Sequence, residues 1–302
     1  MNVLSLFNGM NTGRQALENV RIKVDKYYSS EIKPYANKLT QFHFPDTIQV
    51  GDVTNWRNWD IDWKTIDLVL SGSPCQDLSS SGKRAGINGS KSNLFFVFVE
   101  ILEHIKSLNP NVLFLQENVG SAQKLDIGIM SRELGVYPCR INSNLLTAQN
   151  RDRYYWSNIR TIETMFDLVT DIPQPKDKGI RLKDIVYSDC ENIYLTDKQL
   201  IRGINKHKAQ TLHTGTRMGS VNFPTDINGK GKTLLVLCTI GGRDTNHIED
   251  KKGIRILNQI EMERMQGFPD GYTSILTRNH ASSLLGDGWS LPIIEHIFKF
   301  IK

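Results

Sequence analysis

Short apolar runs alternate with longer amphipathic stretches through the first half of the chain. Residues 2–7 (NVLSLF) are apolar and run into a glycine-bearing turn, a pattern that predicts a strand. Residues 14–20 follow with helical spacing, 21–30 contain a second strand, and 32–42 form a second helix. Residues 66–72 (IDLVLSG) read as a third, buried strand, and 92–109 as a long amphipathic helix stopped by Asn109-Pro110. Residues 111–118 (NVLFLQEN) predict a fourth strand. This β–α alternation implies an α/β fold, a parallel sheet with helices on both faces.

Beyond about residue 165 the texture changes. Residues 171–179 (DIPQPKDKG) are Pro-rich and charged, and they read as a domain boundary. Residues 180–250 hold clusters of Gly, Asn and Thr with few periodic helices, and 234–240 (LLVLCTI) is the one convincing strand. Order returns over 255–302, with helices at 261–268 and 291–301. Three stretches result: 1–165, 166–275, and 276–302 returning to the first.

Charge changes the picture more than bulk composition does. The formal net charge is +5, yet residues 176–255 hold 15 Lys/Arg against 9 Asp/Glu while the rest holds 22 against 23. The positive excess therefore sits in the irregular segment, which suits contact with a phosphate backbone and equally suits a solvated surface. Cys75, Cys139, Cys190 and Cys238 are scattered without a Cys-x-x-Cys pair, so no zinc site, other metal site or disulfide framework is expected. No signal-like leader or long apolar span is present, and the expected setting is cytoplasmic, with no membrane partner.

Four short motifs carry the chemistry. Ser71-Gly72-Ser73-Pro74-Cys75-Gln76 follows the third strand directly. A thiol at the carboxyl end of a parallel strand stands where such sheets place chemistry, although a lone Cys can equally be a small buried thiol. Gln116-Glu117-Asn118-Val119 ends the fourth strand, so the Glu117 carboxylate is expected at the same edge. In Gln149-Asn150-Arg151-Asp152-Arg153 the two arginines alternate; an extended segment would turn both to one side, as paired donors to phosphate or a base carbonyl. Phe7-Asn8-Gly9-Met10-Asn11-Thr12-Gly13 forms a turn before a helix, a place where nucleotide-like groups dock, and Glu31 and Asp52 end the next two strand regions.

The order of these motifs resembles the DNA (cytosine-5) methyltransferase family over nearly the whole chain. Phe7-x-Gly9, Pro74-Cys75-Gln76, Glu117-Asn118-Val119, Gln149-x-Arg151-x-Arg153 and Arg264-Met265-Gln266-Gly267-Phe268-Pro269-Asp270 are similar to its motifs and arrive in its order. Two departures, Gly9-Met10-Asn11-Thr12-Gly13 and Gly286-Asp287-Gly288-Trp289-Ser290-Leu291-Pro292, are similar to the de novo DNA methyltransferase branch, in a chain compact enough for a stand-alone bacterial or phage enzyme.

The resemblance implies a Rossmann-like S-adenosylmethionine-dependent fold, with a mostly parallel seven-stranded sheet. It implies a catalytic and cofactor-binding domain over 1–165, a target-recognition domain over 166–275 and a returning segment over 276–302. It implies Cys75 as covalent nucleophile on cytosine C6, Glu117 at the base N3 edge, Arg153 at O2, and Arg151 on phosphate or supporting the loop. S-adenosylmethionine, leaving as S-adenosylhomocysteine, would lie against Phe7, Asn8, Gly9, Met10, Asn11, Thr12 and Pro74. Glu31 would take the ribose, Asp52, Val53 and Thr54 the adenine, and Asp287, Gly288 and Trp289 would close the site. Lys83, Arg84 and Arg243 would contact double-stranded DNA, with the target base flipped out of the helix. The chain is expected to act as a monomer. A tRNA cytosine-5 methyltransferase and an inactive DNA-binding homologue are the rival readings, and restriction protection, phage self-marking and regulation all remain open as roles.

Overall fold

The computed structural model describes residues 1–74, 94–187, 192–196, 226–234 and 246–302. The chain divides into two compact units: Met1–Asn142 with Asp152–Pro175 and Trp289–Lys302, and Ser143–Arg151 with Lys176–Gly288.

The first unit is built on a seven-stranded sheet. Its strands are β1 (Asn2–Leu6), β2 (Lys26–Ser30), β3 (Ile48–Gln49), β4 (Leu68–Ser71), β5 (Leu113–Val119), β6 (Cys139–Asn142) and β8 (Asp152–Ser157); β7 (Gln149–Asn150) belongs to the second unit. The order is β3-β2-β1-β4-β5-β8-β6, and β8 alone runs antiparallel to its neighbours. Consecutive residues of β1 and β4 are buried regardless of parity, so both faces of the sheet are covered and the strands read as continuous apolar runs.

Among the described residues, five helices cover it: α1 (Thr12–Asn19), α2 (Pro34–His43), α3 (Leu94–Leu108), α4 (Lys124–Leu134) and α7 (Leu291–Phe298). On α3, Phe95, Phe98, Ile101, Leu102 and Ile105 recur at three- and four-residue spacing and join the core with Leu4, Leu6 and Val69. On the opposite parity of the sheet, α1 packs so closely that a Cβ on Gly13 would stand 2.4 Å from Leu70 Cδ1. The second residue of α7 is Pro292, tolerated because the first turn donates no intrahelical bond there.

A hairpin of β9 (Thr161–Glu163) and β10 (Leu168–Thr170) also belongs to this unit. Tyr137 N–H donates to Leu168 O and Thr170 N–H to Tyr137 O, both at 2.8 Å. These bonds tie the hairpin to the chain beside β6, and the compact unit includes residues up to Pro175.

In the second unit β7 pairs in parallel with β11 (Gly231–Lys232), and β12 (His247–Asp250) pairs with β13 (Gly253–Ile256) as an antiparallel hairpin. Helix α5 (Gln259–Gln266) packs against α6 (Arg278–Asp287), and the unit extends to Gly288. Asn258 and Glu261 form a capping box at the start of α5. The same Glu261 carboxylate receives two Nη donors from the fully buried Arg255, at 2.8 and 2.7 Å, and the Tyr187 N–H at 2.9 Å. Arg255 Nε reaches Asp250 Oδ2 at 2.9 Å, where the Tyr194 hydroxyl also donates. Of the strand expected at 234–240, only Leu234 falls among the described residues.

Candidate active site

Register gathers the expected residues at one edge of the sheet in the first unit. Ser30, Leu6, Ser71 and Gln116 align across β2, β1, β4 and β5. The next residues are Glu31, Phe7, Gly72 and, still within β5, Glu117, which therefore form a row one step beyond that level. The strand order reverses between β1 and β4, and open α/β sheets hold their ligands beside that switch point.

The turn after β1 is tight and left-handed: Phe7, Gly9 and Asn11 have φ of 55°, 58° and 65°. Gly9 N–H donates to Glu31 Oε2 at 2.9 Å, while Oε1 of Glu31 accepts the N–H groups of Ile32 and Lys33 at 2.8 and 2.9 Å. Tyr27 donates its hydroxyl to Asn8 Oδ1 at 3.2 Å, which fixes that side chain. Met10 and Thr12 are buried. Asn11 is fully buried, and neither its Oδ1 nor its Nδ2 has a hydrogen-bond partner among the described residues. An amide left so costs about 1–3 kcal/mol, and a polar ligand at the turn would satisfy it. Asp52 Oδ1 accepts both the N–H and the hydroxyl of Thr54 at 2.9 Å, with Val53 buried between them. An unpartnered amide beyond β1 and a carboxylate with spare acceptor capacity beyond β3 fit a ribose-bearing cofactor.

The segment leading to Cys75 is held from β5. Gln116 Nε2 donates to Ser73 Oγ at 2.9 Å, and Asn118 Nδ2 lies 3.5 Å from the same oxygen. A Cβ on Gly72 would stand 2.8 Å from Trp289 Nε1, so the missing side chain is what admits the indole beside the strand end. Pro74 is half-buried and is the last described residue before the thiol. Cys75, Lys83, Arg84 and Arg243 lie outside the described residues.

Glu117 meets its partner across the antiparallel β5–β8 pair, in which Val119 is level with Arg153. Arg153 Nε stands 2.7 Å from Glu117 Oε1, and Arg153 Nη1 donates to Asp152 O at 2.8 Å. The remaining Nη donors of Arg153 have no described partner, which leaves this guanidinium able to serve an acceptor besides Glu117.

The two alternating arginines do not act as twins. Arg151 belongs to the second unit, and its guanidinium donates to the carbonyls of Gly286 at 3.1 Å and Gly288 at 2.9 Å, with those of Leu234 and Asp287 at 3.4 and 3.5 Å. It thus caps the C-terminal turn of α6, where a cation also meets the negative end of the helix dipole. Gln149 is likewise internal: its Nε2 donates to Met265 O and its Oε1 accepts Leu234 N–H.

The late motif is structural in the same sense. Arg264 grips Asp270 through two hydrogen bonds, 2.7 and 2.6 Å, while Gln266 donates to Leu285 O and Gly267 ends α5 with a φ of 80°. Within the basic 176–255 segment, Lys230 is tucked in, donating to Thr147 O at 3.1 Å and lying 3.7 Å from Asp177, and burial lowers its pKa.

Cys139 on β6 is a contrasting thiol. Burial pushes its pKa up to about 12, so it stays protonated and unreactive at neutral pH. Among the described residues no group of three or more His, Cys, Asp or Glu could hold a metal ion, and no helix is long and apolar enough to cross a membrane.

Comparison with known proteins agrees with this geometry. The chain is 27% identical to the type II methyltransferase M.HpaII of Haemophilus parainfluenzae, over 99% of this chain and 88% of that protein. Its fold superposes on the S. pombe Dnmt2 methyltransferase with a TM-score of 0.68 at 17% identity, covering 100% of this chain and 98% of that one. It also superposes on the Entamoeba histolytica methyltransferase EhMeth, with a TM-score of 0.70 at 16% identity, over 100% and 97% of the two chains. The family described as C-5 cytosine-specific DNA methylase matches residues 1–302 from end to end, and the chain belongs to that family.

Proposed function

We propose that this chain methylates C5 of a flipped-out cytosine in double-stranded DNA, with Cys75 as the covalent nucleophile. The observation that supports it best is the row of Glu31, Phe7, Gly72 and Glu117 at one sheet edge, with Arg153 paired to Glu117 at 2.7 Å.

Cytosine C5 is a poor nucleophile. The Cys75 thiolate adds to C6, and the electron pair of the C5–C6 double bond moves so that C5 becomes enamine-like. Glu117 holds the N3 edge and shares a proton there, while Arg153 donates to O2, so negative charge on the ring is met by fixed groups. Once C5 carries the new methyl group, its proton is removed and the C6–Sγ bond breaks, which restores the thiolate. S-adenosylmethionine supplies the methyl group when bound. The turn from Phe7 to Thr12 would hold it, with Glu31 on the ribose, Asp52 to Thr54 on the adenine, and Pro74, Asp287, Gly288 and Trp289 completing the set.

Lys83, Arg84 and Arg243 are assigned to DNA contact, and the basic segment from 176 to 255 to target recognition. By analogy with the type II relatives, protection against a restriction endonuclease is the proposed role. Incubation with S-adenosylmethionine, on duplex DNA and on tRNA in parallel, followed by nucleoside mass spectrometry, tests the reading. 5-Methylcytosine in DNA supports it, and a product confined to tRNA or absent from both overturns it.

A further inference from the structure

Away from the sheet edge, helix α4 and the β9–β10 hairpin enclose a groove of about 620 Å³ that no step of the reaction uses. Its helix wall is Lys124, Leu125, Gly128, Ile129 and Arg132, and its hairpin wall includes Phe166 and Asp167.

Three features of this face lack an intramolecular reason. Met165 and Phe166 occupy the tip of the hairpin and are 87% and 85% exposed, and Leu125 is 73% exposed. The turn that displays them is fixed: Thr164 N–H donates to Asp167 O at 2.8 Å, and Asp167 N–H to Thr164 Oγ1 at 3.0 Å. Turn centres ordinarily take Gly, Asn, Asp or Pro, so two large apolar side chains on a rigid turn form a projecting knob. Gly128, finally, sits inside α4, where glycine weakens the helix, yet a Cβ there would meet nothing within 4 Å. Packing within the chain does not require that glycine, whereas an incoming side chain would.

Charge selects the occupant. Lys124 and Arg132 are eight residues apart, on one side of α4, and both are exposed; among the described residues Arg132 has the neighbouring Glu133 beside it, at 3.5 Å. The hairpin carries exposed Glu163 and Asp167. Knob and cavity, acid and base thus lie on one face, the self-complementary arrangement that a two-fold axis requires.

We propose that this face is a self-association surface: the Met165–Phe166 tip of one copy enters the groove over Gly128 of a second, while Glu163 and Asp167 meet the second copy's Lys124 and Arg132. This departs from the monomer expected from the sequence and is independent of the catalytic reading.

Sedimentation velocity on the full chain, across a concentration series up to about 0.1 mM, tests it. The expected result is a reversible shift from monomer to dimer mass, abolished in Phe166→Asp. A protein that is monomeric throughout, or a dimer that survives Phe166→Asp, overturns the proposal. The double variants Lys124→Glu/Arg132→Glu and Glu163→Lys/Asp167→Lys should each be monomeric alone and should associate when mixed; failure to associate on mixing contradicts the charge arrangement. Gly128→Ala serves as a folding control, expected to raise the melting temperature while weakening the dimer; a lowered melting temperature would mean that the glycine serves the fold instead.

Discussion

Arg153 on β8 places its Nε 2.7 Å from Oε1 of Glu117 on β5, with the two side chains only 13% and 10% exposed. A nearly buried ion pair at a strand end is costly to build, and removing one partner strands the other. The pair lies at the edge where register also brings Phe7, Glu31 and Gly72.

Glu117→Gln keeps the shape and some hydrogen bonding but removes the carboxylate. It should cut kcat by about 10²–10⁴-fold, the usual worth of a positioned acid or base. Steady-state methylation rates on duplex DNA check this, and Glu117→Gln/Arg153→Ala should lose less than the two single effects combined.

The two arginines should separate cleanly. Arg151 serves backbone carbonyls, so Arg151→Met should destabilise the protein by about 2–4 kcal/mol, since it leaves buried acceptors without donors. Arg153→Met should lower the methylation rate directly, because it removes the cation paired with Glu117. Chemical denaturation and initial rates, measured on both variants, give the comparison.

Asn11 offers a test of the cofactor turn. Its φ of 65° is one that glycine adopts without strain, so Asn11→Gly removes the amide and keeps the backbone. Without ligand, stability should hold or rise because an unsatisfied buried amide is gone. Affinity for S-adenosylmethionine, measured by calorimetry, should fall by about tenfold, the equivalent of one lost hydrogen bond to a ligand.

Asp270 should shape the acid limb of stability. The hydrogen bond from Arg264 lowers its pKa below that of the unfolded chain. A depressed folded pKa stabilises above the unfolded value, near 3.9, and that contribution is lost as pH falls through the folded value. Melting temperatures of Asp270→Asn and the unaltered chain should therefore differ most near neutral pH and converge below about pH 4.

Much of this was legible in the sequence, for physical reasons. Strands β1, β4 and β5 are covered on both faces and so read as unbroken apolar runs. Strands β6 (CRIN) and β8 (DRYYWS) carry charges on an apolar background and gave no such signal. Arg151 and Arg153 looked equivalent because spacing of two suggests one face, but the chain passes from one unit to the other between them. Residues 166–170 read as part of the irregular segment, since the hairpin's attachment to Tyr137 is made by backbone groups that any residue carries. The Arg255–Glu261 pair was invisible because charged residues are presumed exposed, whereas both of these are fully buried. Asn11 could have been found: an Asn after a glycine-bearing turn is a residue that tolerates left-handed backbone.

The central claim is covalent chemistry at Cys75, and the most direct measurement is trapping on duplex DNA that carries 5-fluorocytosine in the target sequence. With S-adenosylmethionine present, the protein should form a denaturation-resistant adduct, because fluorine at C5 blocks the proton loss that frees the thiolate. Cys75→Ala should form none and should methylate nothing. A Cys75→Ala protein that still traps or still methylates would contradict the account.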